Sequence, residues 1–119
     1  MLDIGTGRPL YEIEMRFQFA AALLVFALPV RADDLTIPLR VGSQGFEPAQ
    51  VAAPAGARIR LEVSNETATP IEFESFELNR ERVVPPGQKV TVYLSGLSVG
   101  KYEFFDDFNQ KRRGVLTVE

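Results

Sequence analysis

Five carboxylates crowd two short stretches of the chain, and they are the residues best suited to chemistry. Glu72 and Glu74 stand two apart in IEFES, Glu81 follows, and Asp106 and Asp107 are adjacent in FFDDF. Residues two apart on a strand share a face, so Glu72 and Glu74 present their carboxylates together. Histidine and cysteine are absent from all 119 residues. Thiol nucleophiles, Ser-His-Asp triads and zinc sites built on His or Cys are therefore excluded. What remains is mostly oxygen, from Asp, Glu, backbone carbonyls, Asn, Gln and Tyr. Such hard donors suit ferric iron, manganese, calcium or magnesium better than cuprous copper. A group of like charges at one pole repels itself and is tolerated when a cation or arginines neutralise it.

Each of these residues also has a plain structural role open to it. Glu72 and Glu74 fit a solvated strand face alternating with Phe73. Asp106 and Asp107, expected in a C-terminal loop, fit turn aspartates that cap backbone amides. Glu77 and Glu81, expected in an irregular segment, have Arg80 and Arg82 as candidate ion-pair partners. Phe104, Phe105 and Phe108 read as core and shielding residues, and Lys111-Arg112-Arg113 as a solvated hairpin tip. Tyr93 and Tyr102 offer phenolates to ferric iron, but both fit strand alternation as packing residues.

The elements that must position these groups are strands. Leu35, Ile37 and Leu39 alternate with polar residues, as do Ile59, Leu61 and Val63, then Val90, Val92 and Leu94, then Tyr102 and Phe104. Val115 to Val118 closes the chain. A period of two marks half-buried strands. Pro54-Ala55-Gly56, Pro85-Pro86-Gly87 and Gly96 to Gly100 punctuate them, which predicts an all-β sandwich in one domain.

The first 32 residues read differently. Arg16 follows Met15, and Phe17 to Val30 is apolar apart from Gln18. Val30-Arg31-Ala32 then supplies a cleavage pattern, so residues 15–32 are expected to be a secretory signal peptide cut after about Ala32. Residues 1–14 are unusual ahead of such a segment and suggest a start placed too early. The mature domain, 33–119, would be exported and soluble, with a modest core and no disulfide. With 16 acidic and 13 basic side chains the net charge is −3. That balance gives no electrostatic reason to expect a nucleic acid or an anionic membrane as partner.

Gly45-Phe46-Glu47-Pro48, Pro54-Ala55-Gly56, Asn65, Pro85-Pro86-Gly87, Gly100-x-Tyr-x-Phe-Phe and Gly114-Val-Leu-Thr-Val together resemble the cupredoxin-like family over nearly all of residues 35–119. The resemblance implies a Greek-key β-sandwich. In a blue-copper member, His would stand at Ile71, Cys at Asp106, a second His at Asn109 and Met near Arg112. All four differ, so no type 1 copper centre is expected. Residues 71–81 and Phe104 to Phe108 are similar to the periplasmic cupredoxin-like proteins that accompany bacterial high-affinity iron permeases. That similarity implies binding of an iron or copper ion during ferrous-iron uptake, with oxidation of the iron as a further role. The partner it implies is an inner-membrane iron permease or its periplasmic iron-binding subunit. A His commonly follows the FFDDF-like segment in those proteins, and Asn109 stands there instead.

Two functions from different classes follow. One is a periplasmic metal-binding accessory that holds the ion among Glu72, Glu74, Glu81, Asp106 and Asp107, acting as a binding protein more than as an enzyme. The other is an interaction module that kept the sandwich and lost its metal site. A paired-carboxylate hydrolase is a distant third. Metal binding requires at least three of the carboxylates to converge, whereas the module lets them diverge or pair with Arg80 and Arg82.

Overall fold

A computed structural model describes residues 34–119. The expected signal peptide at 15–32 and the segment before it lie outside the described residues. Among those described there are nine strands and no helix. The strands are β1 (Asp34–Gly42), β2 (Gly45–Glu47), β3 (Gln50–Ala53), β4 (Arg58–Asn65), β5 (Ile71–Ser75), β6 (Arg80–Val84), β7 (Lys89–Leu94), β8 (Gly100–Asp106) and β9 (Asn109–Val118). One sheet runs β2-β1-β4-β7 and the other β3-β9-β8-β5-β6. The chain crosses repeatedly between them, so β1 pairs with β4 and β3 with β9 in parallel, while the remaining neighbours are antiparallel.

The alternation read from the sequence is what closes the sandwich. Leu39 and Val41 of β1, Leu61 and Val63 of β4, and Val92 of β7 meet Ile71, Phe73, Val84, Phe104 and Leu116 from the facing sheet. Each side chain buried this way stabilises the fold by about 1.5–3 kcal/mol. Phe73 stacks on Phe104 with ring centroids 5.4 Å apart, and Phe46 meets both rings edge-on. Two turns match their punctuation directly. Gly56 and Gly87 take φ of 78° and 70°, values that a side chain disfavours.

Asn65 links the fold to the carboxylates. Its side chain is buried at the end of β4. Nδ2 donates to the carbonyls of Thr69 (2.8 Å) and Val84 (3.0 Å), and Oδ1 accepts from the Thr67 amide (2.9 Å) and hydroxyl (2.7 Å). The side chain thus organises the loop that delivers β5.

Four expectations need correction. Glu81 lies on a regular strand, β6, and not in an irregular segment. Asp106 ends β8, and only Asp107 and Phe108 form the turn. Lys111-Arg112-Arg113 runs within β9, past the hairpin tip. Phe108 is 56% exposed, while Phe104 is in the core and Phe105 is shielded. The last three share one cause, a β8–β9 hairpin tighter than the charged run suggests.

Candidate metal centre

β5 lies between β6 and β8. Ile71, Phe73 and Ser75 are wholly buried, which turns Glu72 and Glu74 to the outer face by alternation. Glu81 pairs directly with Glu74 across the β5–β6 ladder, so its side chain joins the same face. One oxygen from each of Glu72, Glu74 and Glu81 lies within 4.8 Å of the others. Oxygens that share one cation at about 2.0–2.6 Å stand no more than about 4–5 Å apart. The trio therefore fits a hard cation after little rearrangement.

Asp107 sits beside them. Its amide donates to the Glu72 carbonyl at 2.9 Å, and its charge acts on both Glu72 and Glu74. Its Oδ1 accepts from Gln110 Nε2 at 3.2 Å.

The arginines expected to neutralise the cluster are engaged elsewhere. Arg80 and Arg82 flank Glu81 in sequence and so point to the opposite face of β6. Arg80 donates to the carbonyls of Tyr93, Leu78 and Asn79, and Arg82 to that of Thr91. Among the described residues no ion pair reaches Glu72, Glu74 or Glu81.

The electrostatic consequence falls on Glu72. A hydrogen bond shared with Glu81 raises its carboxyl from 4.5 to about 7, reinforced by desolvation and by the charges of Glu81, Asp107 and Glu74. Glu74 is raised as well, mainly by desolvation and then by Glu81 and Asp107, with its hydrogen bond to Glu72 opposing the shift. A carboxyl raised on folding holds its proton more tightly in the folded state. The stability it contributes is full below about 4.5 and is lost as pH rises through about 7. The metal-free protein should therefore lose thermal stability between pH 5 and 8, and Glu72→Gln should flatten that decline. Parallel melting curves for wild type and variant would sink this reading.

Asp106 belongs to a different arrangement. It is wholly buried. Oδ1 accepts from the amides of Glu72 and Phe108, each at 3.0 Å, and Oδ2 pairs with Arg112 Nη1 at 3.1 Å. Both oxygens are occupied, so the structure does not bring Asp106 into the outer trio, and the capping role weighed for it is the one it fills. The five expected ligands thus divide. Glu72, Glu74 and Glu81 converge, Asp107 adjoins them, and Asp106 stands apart as a positioning residue for the Glu72 backbone. The tyrosines are also elsewhere, with Tyr102 donating to the Ser98 carbonyl at 2.8 Å. Arg112 was missed as the partner of Asp106, because a basic run beside a turn reads as solvated.

A model of the cupredoxin-like domain matches residues 16–118, and the chain belongs to that family. An uncharacterised protein of Rickettsia prowazekii (strain Madrid E) is 38% identical over 76 residues, covering 64% of this chain and 61% of that protein. The match thus spans about three-fifths of the relative's length. Auracyanin A, a blue copper protein of Chloroflexus aurantiacus, superposes with a TM-score of 0.63 at 12% identity, over 73% of this chain and 100% of its own. The metal-binding domain of a Cu(I)-exporting P-type ATPase from Streptococcus pneumoniae gives 0.62 at 13% identity, over 75% and 98%. A purple cupredoxin from Nitrosopumilus maritimus gives 0.54 at 16%, over 69% and 98%. At these identities the likeness is one of fold.

With no cysteine in the chain, there is no type 1 copper centre. At the positions where the family resemblance places its ligands, Ile71 is core and Asp106 is bound to Arg112. An internal ion pair fills that pole.

Proposed function

We propose that this protein is an exported, periplasmic metal-binding accessory of a ferrous-iron uptake system. It holds an iron ion, or less favourably copper, through Glu72, Glu74 and Glu81 with Asp107 alongside, and delivers it to an inner-membrane permease or a periplasmic iron-binding subunit. The observation that carries this reading is the convergence of three carboxylate oxygens within 4.8 Å, none of the three side chains being ion-paired to an arginine or lysine among the described residues. Anionic oxygen donors favour the ferric over the ferrous ion. Oxidation would then need an external electron acceptor, so binding and delivery come first.

A second reading has its own observation. Phe76 is 78% and Val83 51% exposed, and Val83 pairs with Glu72 across the ladder. Exposed apolar groups beside a charged cluster suit a protein-docking face, the module without a metal.

Calorimetric titration with ferrous iron under anaerobic conditions, beside manganous and cupric ions, separates the two. Micromolar or tighter iron binding, weakened about a hundredfold or more in Glu74→Gln/Glu81→Gln, is expected for delivery. No binding of any ion by a well-folded protein would leave the docking module.

A further inference from the structure

The four-stranded sheet carries a second constellation, of opposite charge. Arg58 and Arg60 flank the buried Ile59 on β4 and so face outward, and Arg60 pairs across the ladder with Tyr93 of β7. Arg80, at the start of β6 in the other sheet, reaches across. Its Nε donates to the Tyr93 carbonyl at 3.1 Å, and its Nη1 to the carbonyls of Leu78 (3.3 Å) and Asn79 (3.0 Å). With Tyr93 and Ser95 these arginines line a cleft of about 370 Å³. That volume is at the small end of the range for small-molecule sites.

The charge in the cleft is not balanced. Asp34 is its one acidic lining residue and pairs with Arg58 Nε at 2.9 Å. Arg60 makes no hydrogen bond or ion pair among the described residues. A guanidinium has five N–H donors. The three carbonyls take three from Arg80 and leave its Nη2 group without a partner among the described residues. Those same carbonyls hold the Arg80 plane in place. A guanidinium fixed beforehand loses less freedom on binding than a free surface arginine.

We propose that this cleft binds a small polyanionic ligand, a di- or tricarboxylate or a phosphate group. Arg60 and Arg80 bind its oxygens by charge-assisted hydrogen bonds, and the hydroxyls of Tyr93 and Ser95 supply further donors. Planar guanidinium forks match carboxylate and phosphate oxygens in geometry as well as charge. The site does not rest on the metal reading, because the carboxylate trio lies on the outer face of the other sheet.

The test is an amide NMR titration of the whole protein with citrate and with inorganic phosphate at low salt. Saturable shifts confined to the starts of β4 and β6 and the end of β7 are expected for at least one of them. Arg60→Gln should weaken that binding about tenfold or more. Lys101→Gln, which removes an equal charge from the outer face of the other sheet, should leave it unchanged. The Arg60 side chain makes no hydrogen bond or ion pair among the described residues, so its variant is expected to fold, whereas Arg80 also braces β6 against β7. Co-sedimentation with phosphatidylglycerol vesicles identifies the source of a phosphate. Vesicle binding that Arg60→Gln abolishes, together with phosphate binding, supports a lipid headgroup as that source. Absence of saturable shifts up to about 10 mM of either anion, equal affinity in Arg60→Gln, or binding to vesicles alone would each overturn the proposal.

Discussion

Replacing Gly114 with alanine is expected to destabilise the protein by about 3 kcal/mol or more, at the upper end of what overpacking costs. Gly114 pairs with Phe104 across the β8–β9 ladder. A methyl group there would overlap Cε2 and Cζ of Phe104 and lie 2.9 Å from the Ala49 carbonyl oxygen. Neither neighbour gives way easily. The ring is wholly buried, stacked on Phe73 and set edge-on to Phe46, and the carbonyl accepts the Val115 amide at 2.8 Å. For a domain of this size the loss corresponds to a melting temperature lower by roughly 12–24 °C. Phe104→Leu in the same chain should recover part of it by making room. A single Gly114→Ala variant that melts with the wild type would show that the ring does not cover the glycine.

Arg112→Met should cost about 3–5 kcal/mol, because it leaves the Asp106 carboxylate buried without its counter-charge. The Asp106 side chain is 0% exposed and that of Arg112 14%. Arg112 Nε is itself buried without a partner, so the pair is not an optimised one. Removing both charges is therefore expected to be milder than removing one. In Asp106→Asn/Arg112→Met, an amide oxygen still accepts from the Glu72 and Phe108 amides, and most of the stability should return. Chemical denaturation of the two single variants and the double variant measures this. A double variant as unstable as Arg112→Met alone would mean that the arginine acts through packing and not through its charge. Asp106 also holds the Glu72 amide, so Asp106→Ala should weaken any ion bound at the trio without removing a ligand.

The sandwich was legible because its inward residues are apolar and alternate with polar ones along β1, β4, β7 and β8, a pattern that a half-buried strand imposes locally. β6 was not legible for the same physical reason. It is an edge strand whose first four residues, Arg80 to Val83, are exposed, so no alternation is imposed on them and RERV reads as a loop. Arg112 was hidden by its neighbours. Lys111 is exposed, Arg113 lies 5.0 Å over the Phe105 ring, and only Arg112 turns inward to Asp106. Three adjacent basic residues give no sign of which one does so.

The kind of chemistry open to this protein follows from side-chain identity, which no conformation alters. Without cysteine or histidine a bound cation must be held mainly by oxygen, and two glutamates spaced by one residue must share a strand face. Which carboxylates meet is a matter of pairing between segments distant along the chain. Glu81 reaches Glu74 because β6 pairs with β5 in one register, and Asp106 leaves the group because β8 turns it inward. A slip of one residue in either ladder would exchange the inner and outer faces. Nothing local to those residues encodes the choice. It is made by the burial of Phe73, Val84 and Phe104, which holds both ladders in place.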